Sequence, residues 1–154
     1  MSILDGAIFK NGFEIKGNQK ITLFEKTMDL KKVKLEAWNV EDGITLEQEQ
    51  SFENLQKILS RNVSDIENAI VQYYLEVYKD SELREFYKEN YDKDLFDGDL
   101  TTEKMQNELE DPVYVVINSD GKTVLYLAQQ IEPDNGLAVV LLPKLKIQSQ
   151  DEWF

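Results

Sequence analysis

The stretch VYVVINSDGKTVLYLAQQI (residues 113–131) predicts a β-hairpin and decides how the rest of the chain is interpreted. Two runs rich in β-branched and aromatic residues flank the four-residue loop NSDG, whose residue types favour turns. Shortly afterwards, LAVVLL (residues 137–142) shows no polar alternation, which indicates a strand buried on both faces at the centre of a sheet. Pro143 cannot donate to a strand ladder and predicts a strand break or a sheet edge.

The first third of the chain also has strand character. Asn11-Gly12 tolerates the positive φ angles of a tight hairpin turn and lies between AIF and FEI, which predicts a two-residue hairpin. ITLF (residues 21–24) and KKVKLEAWNV (residues 31–40) follow as strands, with Val33, Leu35 and Ala37 on one face. Asp42-Gly43 predicts a second turn, and ITLEQ (residues 44–48) a further short strand.

The middle of the chain changes to a helical period from Ser51 onward. Ser64 and Glu67 have the spacing of a capping box and predict the start of the best helix. Ser81 is expected to cap a third helix that carries Leu83, Phe86 and Tyr87, and a fourth helix is expected after Thr101 or Thr102, with Met105 and Leu109 inward, ending before Asp111-Pro112. The apolar stripe of the best helix is predicted to contain Ile66, Ala69, Ile70, Tyr73 and Val77, with Tyr74 and Tyr78 beside it.

This order of elements predicts an α+β fold. N-terminal β-strands, three to four central helices and C-terminal β-strands form a mostly antiparallel sheet with helices packed on one side. No repeat or linker divides the 154 residues, which are enough to bury one core, so we expect a single domain spanning residues 1–154.

The composition excludes several classes of function. With no cysteine and no histidine, the chain has no thiol nucleophile, no Ser-His-Asp machinery and no His-rich metal site. The seven glycines lie singly at turns and form no nucleotide-binding fingerprint. The leading interpretation is a non-enzymatic protein without a cofactor. A small metal- or carboxylate-dependent enzyme ranks third, after the self-associating domain described below.

The net charge of −13 is concentrated in the middle of the chain. Residues 41–111 contain twenty acidic and seven basic residues, whereas residues 1–40 have a charge of +2 and residues 112–154 a charge of −2. Such a surface repels nucleic acid and anionic lipid and favours association with a basic protein. The N-terminus lacks a signal peptide and no run is long enough to span a membrane, so a cytoplasmic location is expected. The alternative interpretation is a self-associating domain of unknown role, whose acidity serves solubility and whose interface uses the Tyr-rich helix or Trp153-Phe154.

The segment YDKDLFDGDLTTE (residues 91–103) has the appearance of a calcium-binding loop. Counted from Asp92, a carboxylate stands correctly at position 3 and Glu103 at position 12. However, Phe96 occupies position 5, and Gly98 comes one position later than an EF-hand requires. The spacing therefore favours an acidic loop between two helices, with Asp99, Thr101 or Thr102 as turn and cap residues.

The predicted partner-binding surface combines this loop with the preceding helix. Carboxylates would provide electrostatic complementarity to a basic partner, and two tyrosines would act as anchors. The residues of this predicted surface are Glu82, Glu85, Tyr87, Glu89, Tyr91, Asp92, Asp94, Asp97 and Asp99. No catalytic and no metal-binding residue is predicted.

Three segments of the C-terminal third carry a resemblance to a known group of proteins. GKTVLYL (residues 121–127), DNGLAVVLL (residues 134–142) and Gln150-Asp151 resemble a family of small bacterial proteins of unknown function that is similar to the immunity proteins of toxin loci. The chain departs from that pattern at Asn135, where a histidine often precedes the glycine. The resemblance implies an α+β fold and, as its most concrete function, immunity to a cationic toxin such as a nuclease. It implies no active-site residue.

Overall fold

Strands from both ends of the chain build the main sheet. The computed structural model describes residues 8–9, 12–16, 19–30, 32–36, 45–61, 63–132 and 136–149. Its strands are β1 (Ile8–Phe9), β2 (Gly12–Lys16), β3 (Lys20–Leu23), β4 (Lys26–Asp29), β5 (Lys32–Glu36), β6 (Leu109–Ile117), β7 (Thr123–Gln129), β8 (Leu137–Leu142) and β9 (Lys146–Ser149). Its helices are α1 (Leu46–Glu53), α2 (Leu55–Arg61), α3 (Val63–Tyr73), which continues as a π-helical turn (Tyr74–Tyr78), α4 (Glu82–Tyr91) and α5 (Thr102–Glu108).

The main sheet is mixed and has the strand order β1-β2-β5-β6-β7-β8-β9 within the described part of the chain. Its neighbouring strands pair antiparallel, except β5 and β6, which pair parallel. A parallel pair needs a crossover connection, and here the whole helical segment lies between the two strands. The predicted α+β class, with helices packed on one side of a mostly antiparallel sheet, is confirmed.

The C-terminal hairpin forms as predicted. Ile117 pairs with Thr123, the N–H of Asn118 donates to the carbonyl of Lys122 at 2.9 Å, and Gly121 adopts φ +86° in the loop. Strand β8 is buried on both faces from Leu137 to Val140, as its apolar run predicts. Its predicted place at the centre of the sheet is wrong, because β8 lies next to the edge strand β9 and β6 occupies the centre.

The N-terminal hairpin has a different register from the predicted one. Phe9 pairs with Phe13, whereas a two-residue turn at Asn11-Gly12 would place Lys10 opposite Phe13. In β5 the predicted inward residues Val33 and Leu35 are fully buried. Residue 37, the predicted turn at residues 42–43 and the tail at residues 153–154 lie outside the described residues.

Strands β3 and β4 form a separate hairpin that the sequence pattern does not reveal. Its two-residue turn consists of Phe24 and Glu25, whose φ angles are +52° and +64°. This backbone is costly for residues with a Cβ, and tertiary hydrogen bonds hold it in place. The Phe24 N–H donates to the Glu67 carboxylate, and Gln106 Nε2 donates to the Phe24 carbonyl at 2.7 Å.

Helix α1 corrects the predicted strand at residues 44–48. It begins at Leu46 because Thr45 and Gln48 form a capping box: Thr45 Oγ1 accepts the Gln48 N–H at 3.2 Å, and Gln48 Oε1 accepts the Thr45 N–H at 3.0 Å. The predicted cap at Ser64 is also wrong. Ser64 is exposed inside α3, and the Glu67 carboxylate is used by the β3–β4 turn instead.

The π-helical turn changes which residues of the central helix face the core. Ile66 and Ile70 are buried as predicted, and Tyr74 and Tyr78 continue their stripe, whereas Val77 is 43% exposed. A π turn takes more residues than an α turn, so it returns Tyr78 to the inner face and rotates Val77 away from it. The bond that marks this turn runs from the Lys79 N–H to the Tyr74 carbonyl at 3.1 Å.

Helix α5 lies within its predicted bounds, but Leu109, which is predicted on its inner face, is the first residue of β6. Thr101 is its N-cap and accepts the Lys104 N–H at 3.2 Å, and Met105 and Leu109 point into the core. In the described part of the chain, no helix has the length and apolar character needed to cross a membrane.

Side chains on the two faces of the sheet belong to two buried clusters. The helices pack against the larger cluster, to which the sheet contributes inward residues such as Val115, Leu125 and Val139. The opposite face has a smaller cluster, in which Tyr114 stacks on the buried ring of Tyr126 with centroids 4.8 Å apart. Alternation along the strands separates the two sets.

Candidate functional site

The predicted partner-binding residues lie on α4 and on the loop that joins it to α5. The loop begins at Asp92, which ends α4 in a left-handed conformation (φ +53°) and whose N–H donates to the Lys88 carbonyl at 2.9 Å. Seven of the nine predicted residues are exposed, so the surface is brought together largely as expected: Glu82, Glu85, Glu89, Tyr91, Asp92, Asp97 and Asp99. The other two residues are not exposed: Asp94 is partly buried and Tyr87 is buried.

Asp94 is used inside the chain. The Arg84 guanidinium donates to both of its carboxylate oxygens, at 3.0 and 2.7 Å, and the Phe96 N–H donates to Oδ1 at 3.1 Å. The hydrogen bonds from Arg84 lower the pKa of Asp94 to about 2. Asp94 therefore fixes the shape of the loop, and its charge is compensated by Arg84 and by Lys88, whose Nζ lies 3.6 Å away.

Tyr87 belongs to the core and cannot act as a surface anchor in this arrangement. Its side chain is 3% exposed, and burial raises the pKa of its hydroxyl to about 12. The ring of Tyr91 lies 4.7 Å from it, centroid to centroid, and remains 43% exposed.

Phe86 is the more exposed of the two exposed aromatic residues of α4. It is 53% exposed and follows Glu82 by four residues and precedes Glu89 by three. Side chains at these spacings are neighbours on a helix surface, so an apolar ring lies between two carboxylates. The spacing was visible in the sequence, but the same spacing also fits a core position. The side that α4 buries is set by Tyr87.

The acidic loop does not have the arrangement of a calcium site. The described residues contain no group of three or more carboxylates that could hold a metal ion. At position 3 of the supposed loop, the Arg84 guanidinium already binds both oxygens of Asp94. Lys104 Nζ donates to the carbonyl of Asp97 at 2.7 Å, which places a second cation against the loop.

Two of the cavities lined by described residues lie beside helices of the central segment. One of about 300 Å³ lies between α4 and α5 and has Tyr87, Lys93, Asp94 and Glu103 in its wall. The other, of about 400 Å³, lies between α1 and the β6–β7 loop, with walls that include Glu47, Asn54, Asp120 and Lys122. Both walls mix the two signs of charge, so neither cavity selects a ligand of one charge.

A group of polar side chains in the core was missed by the sequence analysis. It consists of Glu108, Tyr74, Gln129, Tyr78 and Glu132, which come from α5, the π-helical turn, β7 and the residues after β7. Burial raises the pKa of the Glu108 carboxyl from 4.5 to about 7, although hydrogen bonds from the Ile131 N–H and Tyr74 oppose this shift. No sequence motif announces the group, because its members meet only in the folded chain.

Comparisons of the chain with protein-family models, with curated proteins and with solved structures found no match.

Proposed function

We propose that the surface formed by α4 and the α4–α5 loop binds a basic protein partner, without catalysing a reaction. The observation that carries this proposal is the exposed ring of Phe86 between the carboxylates of Glu82 and Glu89. An arginine of the partner could stack on the ring and pair with a carboxylate at the same time. Tyr91 provides a second exposed aromatic group on the same helix.

The charge of the surface supports the same partner chemistry. Residues 82–99 contain seven acidic and three basic residues. Because Asp94 and Arg84 neutralise each other, six exposed carboxylates remain against Lys88 and Lys93. Such an imbalance accelerates encounter with a basic protein and weakens as salt screens the charges.

Inhibition of a cationic toxin, such as a nuclease, is the most concrete form of this proposal. A nuclease binds phosphates through a basic groove, and an acidic surface can occupy that groove in place of the nucleic acid. The sequence motifs of the C-terminal third, which resemble those of small bacterial proteins similar to immunity proteins, favour the same form. The role of the chain would then be to bind and block.

The test compares the wild type with a double charge reversal in the proposed surface and a matched reversal elsewhere. E82K/E89K alters the surface, whereas E53K/D65K makes the same change of charge at exposed positions of α1 and α3. Basic proteins retained from a lysate of the source organism are identified by mass spectrometry and purified. Their association rates with each variant are then measured at 50 and 300 mM salt.

We expect the association rate to fall at least tenfold more for E82K/E89K than for E53K/D65K at low salt, with the difference shrinking at high salt. The variant F86A should speed dissociation while leaving the association rate close to that of the wild type. Equal effects of the two double variants would show that the acidity acts only through net charge and would refute the proposed surface.

A further inference from the structure

The core polar group forms a continuous chain from a buried carboxyl to a half-buried one. Tyr74 Oη lies 2.9 Å from Glu108 Oε1 and 2.7 Å from Gln129 Oε1. Gln129 Nε2 lies 2.9 Å from Tyr78 Oη, which lies 2.6 Å from Glu132 Oε2. All four contacts have the length of hydrogen bonds, so each requires one hydrogen between its two heavy atoms.

The side chains themselves do not provide enough hydrogens for this chain. Its four contacts need four hydrogens, but Tyr74 and Tyr78 have one hydroxyl hydrogen each, and Gln129 can donate toward only one of its two sides. These groups supply three. Turning the Gln129 amide over reverses the direction of donation and leaves the count unchanged. The fourth hydrogen has to come from a terminal carboxyl.

The surroundings of the two carboxyls decide where this hydrogen resides. Glu108 is fully buried, and its Oε2 has no hydrogen-bond partner within the described part of the chain. An ionised carboxylate there would leave charge on an unsolvated oxygen, which is far more costly than a neutral carbonyl. Glu132 is only partly buried, so a charge costs less to place there.

We propose that the folded core binds one proton on Glu108, which donates to Tyr74 and completes a hydrogen-bond chain ending at the ionised Glu132. Donation then runs in one direction, from Glu108 through Tyr74, Gln129 and Tyr78 to the half-buried carboxylate. The site has no role in the proposed partner binding and stands independently of it. Its ligand is a proton, and its occupancy couples the core to pH.

The ionisable groups around Glu108 agree with this assignment. Raised pKa values of Tyr74 and Tyr78, both caused chiefly by burial, keep these hydroxyls protonated as donors, and burial likewise raises the pKa of Glu108. The ionisable groups near the site are Tyr74 and Tyr78 from the π-helical turn, Tyr87 from α4, Glu110 from β6, Glu132 after β7 and Lys26 from β4. The ammonium of Lys26 donates to the carbonyls of Gln106 and Leu109.

Glu108 also connects three parts of the fold, so its proton matters for more than one contact. Its Oε1 accepts the Ile131 N–H at 2.7 Å, and its backbone carbonyl accepts the Gln130 N–H at 3.0 Å. Loss of the proton leaves one of the four hydrogen-bond contacts without a hydrogen. These contacts lie where α5, the π-helical turn and the end of β7 meet. The folded state is therefore expected to loosen there as pH rises.

The experiment is a pH titration of the side-chain carboxyl carbons by NMR in protein labelled with ¹³C-glutamate. The variant E108Q identifies the Glu108 signal. We expect this signal to titrate with a midpoint well above the 4.5 of an ordinary glutamate. If the Glu108 signal of the wild type titrates with a midpoint at or below 4.5, this result alone overturns the proposal.

The variant Y78F tests the hydrogen count, because it leaves a chain of two contacts that Tyr74 and Gln129 can satisfy by themselves. We expect the proton affinity of Glu108 to fall about tenfold in Y78F. The matched control Y91F removes an exposed hydroxyl that is not part of the hydrogen-bond chain, and it should leave the titration midpoint of Glu108 unchanged. Equal midpoints in Y78F and Y91F would contradict the shared-proton chain.

Discussion

Replacement of Glu108 by glutamine should flatten the pH dependence of stability. In the wild type the pKa of this carboxyl is about 7 in the folded state against 4.5 for an ordinary glutamate. The folded state thus binds the proton more tightly than the unfolded chain does. The resulting stabilisation is fully present below pH 4.5 and is lost as pH rises through about 7.

The size of the effect follows from these two pKa values. One pKa unit corresponds to about 1.4 kcal/mol, so full ionisation of Glu108 costs the folded state on the order of 3 kcal/mol. By proton linkage, most of this stabilisation remains at pH 5, and nearly all of it is lost at pH 8. The difference in unfolding free energy between E108Q and the wild type should therefore shift by roughly 2 to 3 kcal/mol in favour of the variant between pH 5 and pH 8.

Urea denaturation followed by circular dichroism at pH 5, 6, 7 and 8 provides the measurement. Other ionisable groups titrate in both proteins, so the difference between their curves isolates Glu108. The control E103Q removes an exposed carboxylate from the same helix and should run parallel to the wild type. Parallel curves for E108Q and the wild type would show that the buried carboxyl is ionised throughout and would refute the reasoning.

Four further substitutions test other parts of the structure by urea denaturation. D94N should lower the unfolding free energy by about 1 kcal/mol at pH 7, since the ion pair with Arg84 is lost. This difference should shrink as pH falls from 3.8 toward 2, where Asp94 itself becomes protonated, and a constant difference would contradict the lowered pKa. G98A should lower the unfolding free energy by about 1 kcal/mol, because Gly98 has a positive φ. G121A should lower it by more, because Gly121 also has a positive φ and its new Cβ would lie 3.2 Å from Glu47 Cβ. Equal losses in the two variants would contradict that contact. T45A should remove the α1 cap at a cost of about 1 kcal/mol, with T45S as the control that keeps the hydroxyl; equal stability of the two variants would contradict the cap.

The sequence predicted the elements whose signals are local. The NSDG turn between two β-rich runs and the Thr101 cap of α5 depend on residues that are close in the chain, and both are observed. Where two local signals competed, the pattern misled. The apolar content of residues 44–48 favoured a strand, but the Thr45–Gln48 capping box won because both of its bonds form within one helical turn.

Features that depend on tertiary contacts could not be predicted. The Phe24–Glu25 turn has no typical turn residue and is held by hydrogen bonds from distant parts of the chain. Of the predicted surface, most carboxylates are exposed because charged residues avoid the core. Asp94 differs because it pairs with Arg84, which lies ten residues earlier in the sequence, and charge counting does not detect this pairing.

The parallel pairing of β5 with β6 divides the main sheet into two antiparallel portions, one from each end of the chain. On one side β1, β2 and β5 are joined by antiparallel pairings, and on the other side β6 to β9 follow one another as antiparallel neighbours. The seam between them closes the longest loop in the sheet, because all the helices lie within it. Its closure therefore costs more chain entropy than any hairpin here, and loops of this length slow folding. The strands from the two ends of the chain are thus joined into one sheet by the pairing that is the most costly to close.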